Sequence, residues 1–236
     1  MMKQKDTAAI LVCAGNATRM GGIHKILHPL GETTVLHQVL RSFCKCKSIA
    51  GLVVICREKD ILEFRSAIAE IESELTCPVV VTAGGDTRQQ SVQNGVSAIS
   101  FPAKYIAIHD GARPLIRPAD IEKVIADARR TNAATLGVPV KDTIKVVHGG
   151  FIDSTPERAS LWQTQTPQVF RLDVYRDAMR LAAEQGKDYT DDCQLVEALG
   201  VSVMMTEGSY SNIKLTTPED LPVAEAILRE REGETH

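Results

Sequence analysis

Short apolar runs alternate with longer amphipathic stretches along this chain, and that alternation constrains its fold more than any other feature. The runs are residues 8–13, 52–56, 79–81, 105–108, 134–138 and 201–205. Apolar segments this short and continuous read as strands buried on both faces of a sheet. Between them, Val35, Leu36, Val39, Leu40 and Phe43 recur at helical spacing. Ile121, Val124, Ile125 and Ala128 do the same, as do Leu172, Tyr175, Met179 and Ala182. Strand, helix, strand succession implies right-handed crossovers, and so an α/β fold with a doubly wound, mainly parallel sheet. A last helix is announced by Thr217 as N-cap, Pro218 at the first helical position, and Glu219 with Asp220 at the positive end of the dipole.

One segment breaks the pattern. Residues 138–165 show β-branched alternation around His148-Gly149-Gly150 and then a polar, proline-bounded return, with no helical period joining the halves. This reads as a hairpin arm projecting from the sheet. An isolated two-stranded hairpin is marginally stable, so the arm is expected to pack on a second copy of the chain in a homodimer.

Composition narrows the partners. With 236 residues, 44% of them hydrophobic, the chain suits one domain over residues 1–236 with one sizeable core. Its 27 Lys and Arg against 30 Asp and Glu leave a net charge of −3, so no broad basic field draws it onto nucleic acid or anionic lipid. Any polyanion must meet a local cluster of cations. No apolar run approaches the roughly 18–20 residues that cross a bilayer, and the N-terminus lacks the order of a secretory signal. Six cysteines in mostly apolar segments are expected as reduced thiols. A soluble cytoplasmic protein is the expectation.

Three loops after apolar runs carry polar chemistry. The first, from Ala14 and Gly15 to Lys25, is glycine-rich and holds Arg19 and Lys25. In open α/β sheets ligands bind beyond the carboxyl ends of strands, where a glycine turn lets N–H groups approach phosphate. The other reading is a glycine-rich surface turn with two solvated cations; the spacing matches neither a Walker A loop nor a dinucleotide fingerprint. The second runs through Gly84, Gly85, Asp86, Arg88 and Ser91. Asp86 or Ser91 is expected to cap the helix that follows. Arg88 at its start opposes the dipole unless an anion shares the site; a nucleotide is one such anion, and an exposed arginine is the alternative. The third, His109-Asp110-Gly111-Ala112-Arg113, ends the fourth run with a carboxylate suited to Mg²⁺, or to a plain structural turn. No nucleophile elbow, His-Glu-x-x-His or paired Cys-x-x-Cys is present.

In this order, the motifs AGNATRMGGIHK, GGDTRQQSVQNG, HDGARP, PVKDTIK, LWQTQTPQVF, TDDCQLVEALG and NIKLTTPEDL resemble those of the 2-C-methyl-D-erythritol 4-phosphate cytidylyltransferase family, over about residues 8–228. The resemblance implies a nucleotidyltransferase fold, a homodimer with interlocking arms, and Mg²⁺-dependent condensation of CTP with methylerythritol phosphate to release pyrophosphate. It implies that Arg19 and Lys25 stabilise the transition state at the α-phosphorus, and that Arg158 and Lys214 position the substrate phosphate. Ala14, Gly15, Gly85, Asp86, Arg88 and Ser91 fall on cytidine-recognising positions, Asp110 on the metal ligand, and Arg113 and Thr143 near the second substrate. Thr143 and Arg158 are expected to come from the partner's arm. Ala17 replaces the family's second loop glycine, His24-Lys25-Ile26 stands where Pro-Lys-Gln is usual, and Ser211 replaces an acidic residue. A ribitol 5-phosphate cytidylyltransferase is the alternative within the class, disfavoured by the forms of residues 161–168 and 190–192. A non-catalytic nucleotide-binding protein is the alternative outside it.

Overall fold

The computed structural model describes residues 5–15 and 25–233. Helix α1 (Val35–Cys44) shows how the chain reads its own pattern. The Thr34 hydroxyl accepts the His37 N–H, and Val35, Leu36, Val39, Leu40 and Phe43 are all buried along one stripe. In order come β1 (Thr7–Val12), a small hairpin of β2 (Pro29–Leu30) and β3 (Thr33–Thr34), α1, β4 (Ile49–Cys56), α2 (Ile61–Glu70), β5 (Val79–Ala83) and α3 (Arg88–Ser97). These are followed by β6 (Tyr105–Asp110), α4 (Pro118–Thr131) and β7 (Ala133–Pro139). The remainder comprises β8 (Val146–His148), β9 (Phe151–Ser154), β10 (Trp162–Arg171), α5 (Leu172–Glu184), α6 (Asp192–Ala198), β11 (Met204–Glu207) and α7 (Asp220–Gly233).

Seven strands form one sheet in the order β11-β7-β10-β6-β1-β4-β5. Every pairing is parallel except those of β10, which runs antiparallel to β6 and β7. The sheet is wound on both faces. Ala9 and Leu11 of β1 pack with Phe43, Phe64 and Val124 from α1, α2 and α4, while Ala8 and Ile10 pack with Val92, Tyr175 and Val196 from α3, α5 and α6. Alternate residues of one strand thus feed two cores, and this is why buried strands read as unbroken apolar runs. Val12 pairs with both Ile55 and Asp110, and Cys56 with Ala83, so β1, β4, β5 and β6 end level at one edge.

The structure departs from the sequence pattern in several places. Strand β10 was not signalled, because Gln163, Thr164, Gln165 and Thr166 interrupt any apolar run. Its Pro167 falls in the register gap between Thr164 and Gln168, where no ladder N–H is needed. Strand β11 starts at Met204 rather than 201, and β5 is half-buried along its length, because both lie at sheet edges. Helix α7 starts at Asp220, not Pro218, and Thr217 is not its side-chain cap. The Asp220 carboxylate instead accepts the N–H groups of Thr216 (2.6 Å) and Thr217 (2.9 Å). Finally, the ends of segment 138–165 belong to the sheet, since Trp162 pairs with Pro139 and Gln163 with Val138.

The projecting part of the arm therefore spans about residues 140–161. Its hairpin, β8 with β9, turns through Gly149 (φ 58°) and Gly150 (φ 86°), a left-handed pair that glycine adopts without penalty. Phe151 is 81% exposed and Ile152 64% exposed, with Ile144 and Val147 also in solvent. All six cysteines are free. Among the described residues, no helix is long and apolar enough to cross a membrane.

Candidate active site

The level ends of β1, β4, β5 and β6 build a mouth. Cys13 N–H donates to Ile55 O, Gly84 N–H to Cys56 O and Gly111 N–H to Val12 O, so the loops leave the sheet side by side. Between them lies a cleft of about 270 Å³ lined by Ala14, Gly15, Lys25, Gly85, Asp86, Arg88, Ser91, Asp110 and Lys214. Nine of the sequence-predicted site residues thus meet in one place. Arg19, a tenth, lies outside the described residues.

The second loop is held tightly. Thr87, rather than Asp86 or Ser91, caps α3, its hydroxyl accepting the Gln90 N–H at 3.2 Å. Ser91, one turn in, accepts the Gly85 N–H (3.0 Å) and donates to Thr87 O (2.9 Å). A Cβ on Gly85 would stand 2.5 Å from Gln90 Cβ, so close packing, not an unusual φ, demands glycine there.

Arg88 sits at the first helical position of α3, and the chain supplies its counter-charge. A guanidinium nitrogen lies 2.6 Å from Asp192 Oδ2. The helix start thus has an anion from the chain itself, in addition to any nucleotide that shares the site. Burial works against the Arg88 charge, but Asp192 and Asp110 more than offset it and hold its pKa above the ordinary arginine value. Burial raises the Asp192 carboxyl, against the opposing influence of Arg88 and Tyr175.

Asp110 ends β6 beneath a group of cations. Lys214 Nζ is 2.7 Å from its Oδ2 and Arg113 Nε 3.9 Å from the same oxygen. Burial pushes the Asp110 carboxyl up, yet Lys214, Arg88 and Arg113 outweigh it and keep the group below its usual value. His109, given no role from sequence, is structural. Its Nε2 donates to Arg113 O (3.1 Å) and its Nδ1 accepts from Thr166 Oγ1 (3.0 Å), an assignment set by the carbonyl partner. Burial lowers its pKa to about 4, so the ring is neutral at pH 7.

Lys214 arrives on a loop fastened to the third motif. Arg113 donates to Asn212 O (2.7 Å), Leu215 N–H to Ala112 O (2.8 Å), and Lys25 Nζ to Leu215 O (3.3 Å). Arg113 and Lys214 also line a neighbouring hollow of about 310 Å³ with Val138, Gln163, Gln165 and Tyr210. Arg113, expected near the second substrate, therefore lies in a hollow that shares Lys214 with the cleft. Thr143 and Arg158 do not reach either space within one chain. Both are exposed on the arm, where Arg158 donates to Lys141 O (3.1 Å).

Chemically, the cleft can hold a polyanion among Lys25, Arg88 and Lys214, with the Asp110 carboxylate at its floor and exposed Asp86 at its rim. Cys13 lines it too, but burial pushes that thiol far up, which makes it a poor nucleophile. Among the described residues, no group of three His, Cys, Asp or Glu side chains is placed to hold a metal ion. A single buried carboxylate in a cleft of cations still fits Mg²⁺, which takes one or two protein oxygens and fills its shell with phosphate and water. Sequence reasoning missed Thr87, Tyr175 and Asp192. The adjacent acids at 191 and 192 were a visible signal, but nothing in one sequence says which cation a carboxylate will meet a hundred residues away.

Comparison with known proteins places these features together. Residues 7–230 match the family model described as IspD, 2-C-methyl-D-erythritol 4-phosphate cytidylyltransferase. A protein of that name from Syntrophotalea carbinolica is 46% identical over 93% of this chain and 94% of its own length. Among solved structures, 4-diphosphocytidyl-2C-methyl-D-erythritol synthase from Anaerococcus prevotii superposes with a TM-score of 0.83 at 27% identity, covering 95% of this chain and 99% of that one. The Thermus thermophilus 2-C-methyl-D-erythritol 4-phosphate cytidylyltransferase superposes at 0.76 with 30% identity, covering 93% and 98%.

Proposed function

Because the chain belongs to the 2-C-methyl-D-erythritol 4-phosphate cytidylyltransferase family, we propose that it transfers a cytidylyl group from CTP to 2-C-methyl-D-erythritol 4-phosphate. The products are 4-diphosphocytidyl-2-C-methyl-D-erythritol and pyrophosphate. The observation that carries this reading is the convergence of Lys25, Arg88, Lys214 and Asp110 on one cleft at the carboxyl edge of the sheet.

The attacking substrate phosphate is an anion at neutral pH and needs no general base, which agrees with a neutral, inward-facing His109 and an inert Cys13. The chain's work is alignment of two polyanions and stabilisation of charge developing on the phosphoryl oxygens. Lys25, with Arg19, meets the α-phosphoryl group. Ala14, Gly15, Gly85, Asp86, Arg88 and Ser91 surround the nucleotide. Lys214 and Arg113, at the boundary between the cleft and the adjoining hollow, hold the incoming phosphate. Asp110 would ligate Mg²⁺ together with phosphate oxygens and water, and the bound ion would neutralise triphosphate charge. The apolar arm, with Phe151 and Ile152 in solvent, packs on a second copy and carries Thr143 and Arg158 into the partner's hollow. Six free thiols suit a reducing, cytoplasmic setting.

Pyrophosphate release with CTP, methylerythritol phosphate and Mg²⁺ tests the reading, with ribitol 5-phosphate as control. Turnover with methylerythritol phosphate and little with ribitol phosphate is expected. The reverse preference, or CTP binding without turnover, overturns it.

A further inference from the structure

One carboxylate outside the cleft touches a side chain inside it. Asp192 is in the first turn of α6, where an acid is favoured, and Arg88 is in the first turn of α3, where a cation is not. Their contact at 2.6 Å lets each helix start compensate the other. The second Asp192 oxygen accepts the Tyr175 hydroxyl of α5, also at 2.6 Å. Three helices on one sheet face are thus joined by a carboxylate only 3% exposed, while the Arg88 side chain stays 27% exposed and lines the cleft.

Further bonds fix the same junction. Gln89 Nε2 donates to Lys187 O (3.3 Å), the Tyr189 N–H donates to Gln89 Oε1 (2.8 Å), and Thr87 Oγ1 donates to Asp188 Oδ1 (3.3 Å). Residues 187–189, ahead of α6, are therefore tied to the start of α3. Asp192 itself does not line the cleft. An arginine at a helix start, if unpartnered, swings away from the dipole and samples many rotamers.

We propose that Asp192, locked by Tyr175, is a positioning residue that aims the Arg88 guanidinium at a bound nucleoside triphosphate. This rests on the functional reading above. It makes Asp192, which lies outside the cleft, part of nucleotide recognition through Arg88. It also predicts a coupling that a purely structural role lacks. Removing Arg88 alone leaves a buried carboxylate uncompensated near the triphosphate, so neutralising Asp192 in that background does no further harm.

Calorimetric titration of CTP, with Mg²⁺, into the wild type, Asp192→Asn, Tyr175→Phe, Arg88→Ala and the Asp192→Asn/Arg88→Ala double variant tests this. Asp192→Asn is expected to raise the Kd for CTP roughly tenfold or more, about one factor of ten per 1.4 kcal/mol, and Tyr175→Phe roughly threefold. The KM for methylerythritol phosphate stays within about twofold, and the double variant binds CTP no more weakly than Arg88→Ala. A twofold or smaller effect of Asp192→Asn overturns the proposal, as does a double variant weakened by the full product of the single effects. Should Asp192→Asn fail to fold by thermal melting, Tyr175→Phe decides, and unchanged CTP affinity there overturns the proposal. A wild type that binds no CTP overturns the functional reading and this one together. A wild type that binds CTP beside an unaffected Asp192→Asn overturns the positioning role alone.

Discussion

The mouth of the sheet and the arm carry similar side chains to opposite fates. At the mouth, Arg88, Arg113 and Lys214 each meet a carboxylate within 4 Å, on loops fixed to one another by backbone bonds. On the arm, Arg158 bonds a carbonyl of its own segment, and Phe151 and Ile152 stand in water. Among the described residues one chain gathers the charges of the mouth, while Thr143 and Arg158 stay exposed on the arm and line neither the cleft nor the hollow beside it. The contrast teaches that, under the function proposed above, the fold of one chain builds the nucleotide half of this site and a second copy is required for the other half.

Several substitutions break or sharpen that contrast, in falling order of effect. Two phenylalanines mark its extremes. Phe43, fully buried behind β1, costs about 3–5 kcal/mol of stability when cut to Ala, read by chemical denaturation. At the mouth, Lys25→Ala lowers kcat/KM about 10²-fold, close to 3 kcal/mol of transition-state stabilisation; near-normal turnover removes the cleft's claim to be the reacting centre. Inactive Lys25→Ala and Arg158→Ala chains, mixed in equal parts and allowed to exchange, regain roughly a quarter of wild-type activity. Half the dimers are then mixed, and each has one intact site. No recovery means that Arg158 acts within its own chain or not at all. Phe151→Asp keeps the native circular dichroism, shifts sedimentation from dimer to monomer and lowers turnover at least as far as Arg158→Ala does, because a monomer lacks the other copy's arm. A dimer that persists in that variant moves the interface elsewhere.

The smallest effect belongs to α7. Asp220→Ala loses two acceptor contacts at the helix start and costs about 1 kcal/mol. Burial raises the Asp220 carboxyl, but its N–H donors at Thr216 and Thr217 dominate and hold the folded pKa below the ordinary 3.8. The stabilisation is therefore fully present above pH 3.8 and lost as pH falls through the lower folded value. Denaturation of wild type and variant at descending pH should show their difference shrinking only below that point.

Much of this architecture is legible in the sequence because buried parallel strands must be apolar on both sides. Strands β1, β4, β6 and β7 lie on the expected runs, extended by a few residues. Strand β10 escaped because its buried polar residues serve as wiring. Gln165 donates to Ser209 O, Gln168 donates to Asp191, and Thr166 links Asp110 with His109, so the strand looks like a loop to any hydrophobic pattern. The site divides in the same way. Loop residues such as Gly85, Asp110 and Lys214 announce themselves by motif, whereas the pairing of Arg88 with Asp192 exists only after α3, α5 and α6 have been packed together. Thr87 took the cap from Asp86 and Ser91 because the turn placed its hydroxyl, not theirs, three residues before a free N–H.

The far end of α7 has a consequence in time. Arg231 donates to Leu115 O at 2.9 Å and to Ser211 Oγ at 2.7 Å, clasping the segment after Asp110 to the loop that carries Lys214. A growing polypeptide acquires Lys25, Asp110 and Lys214 before it acquires Arg231. The bracing of the Lys214 loop is therefore complete only once the last helix has been made.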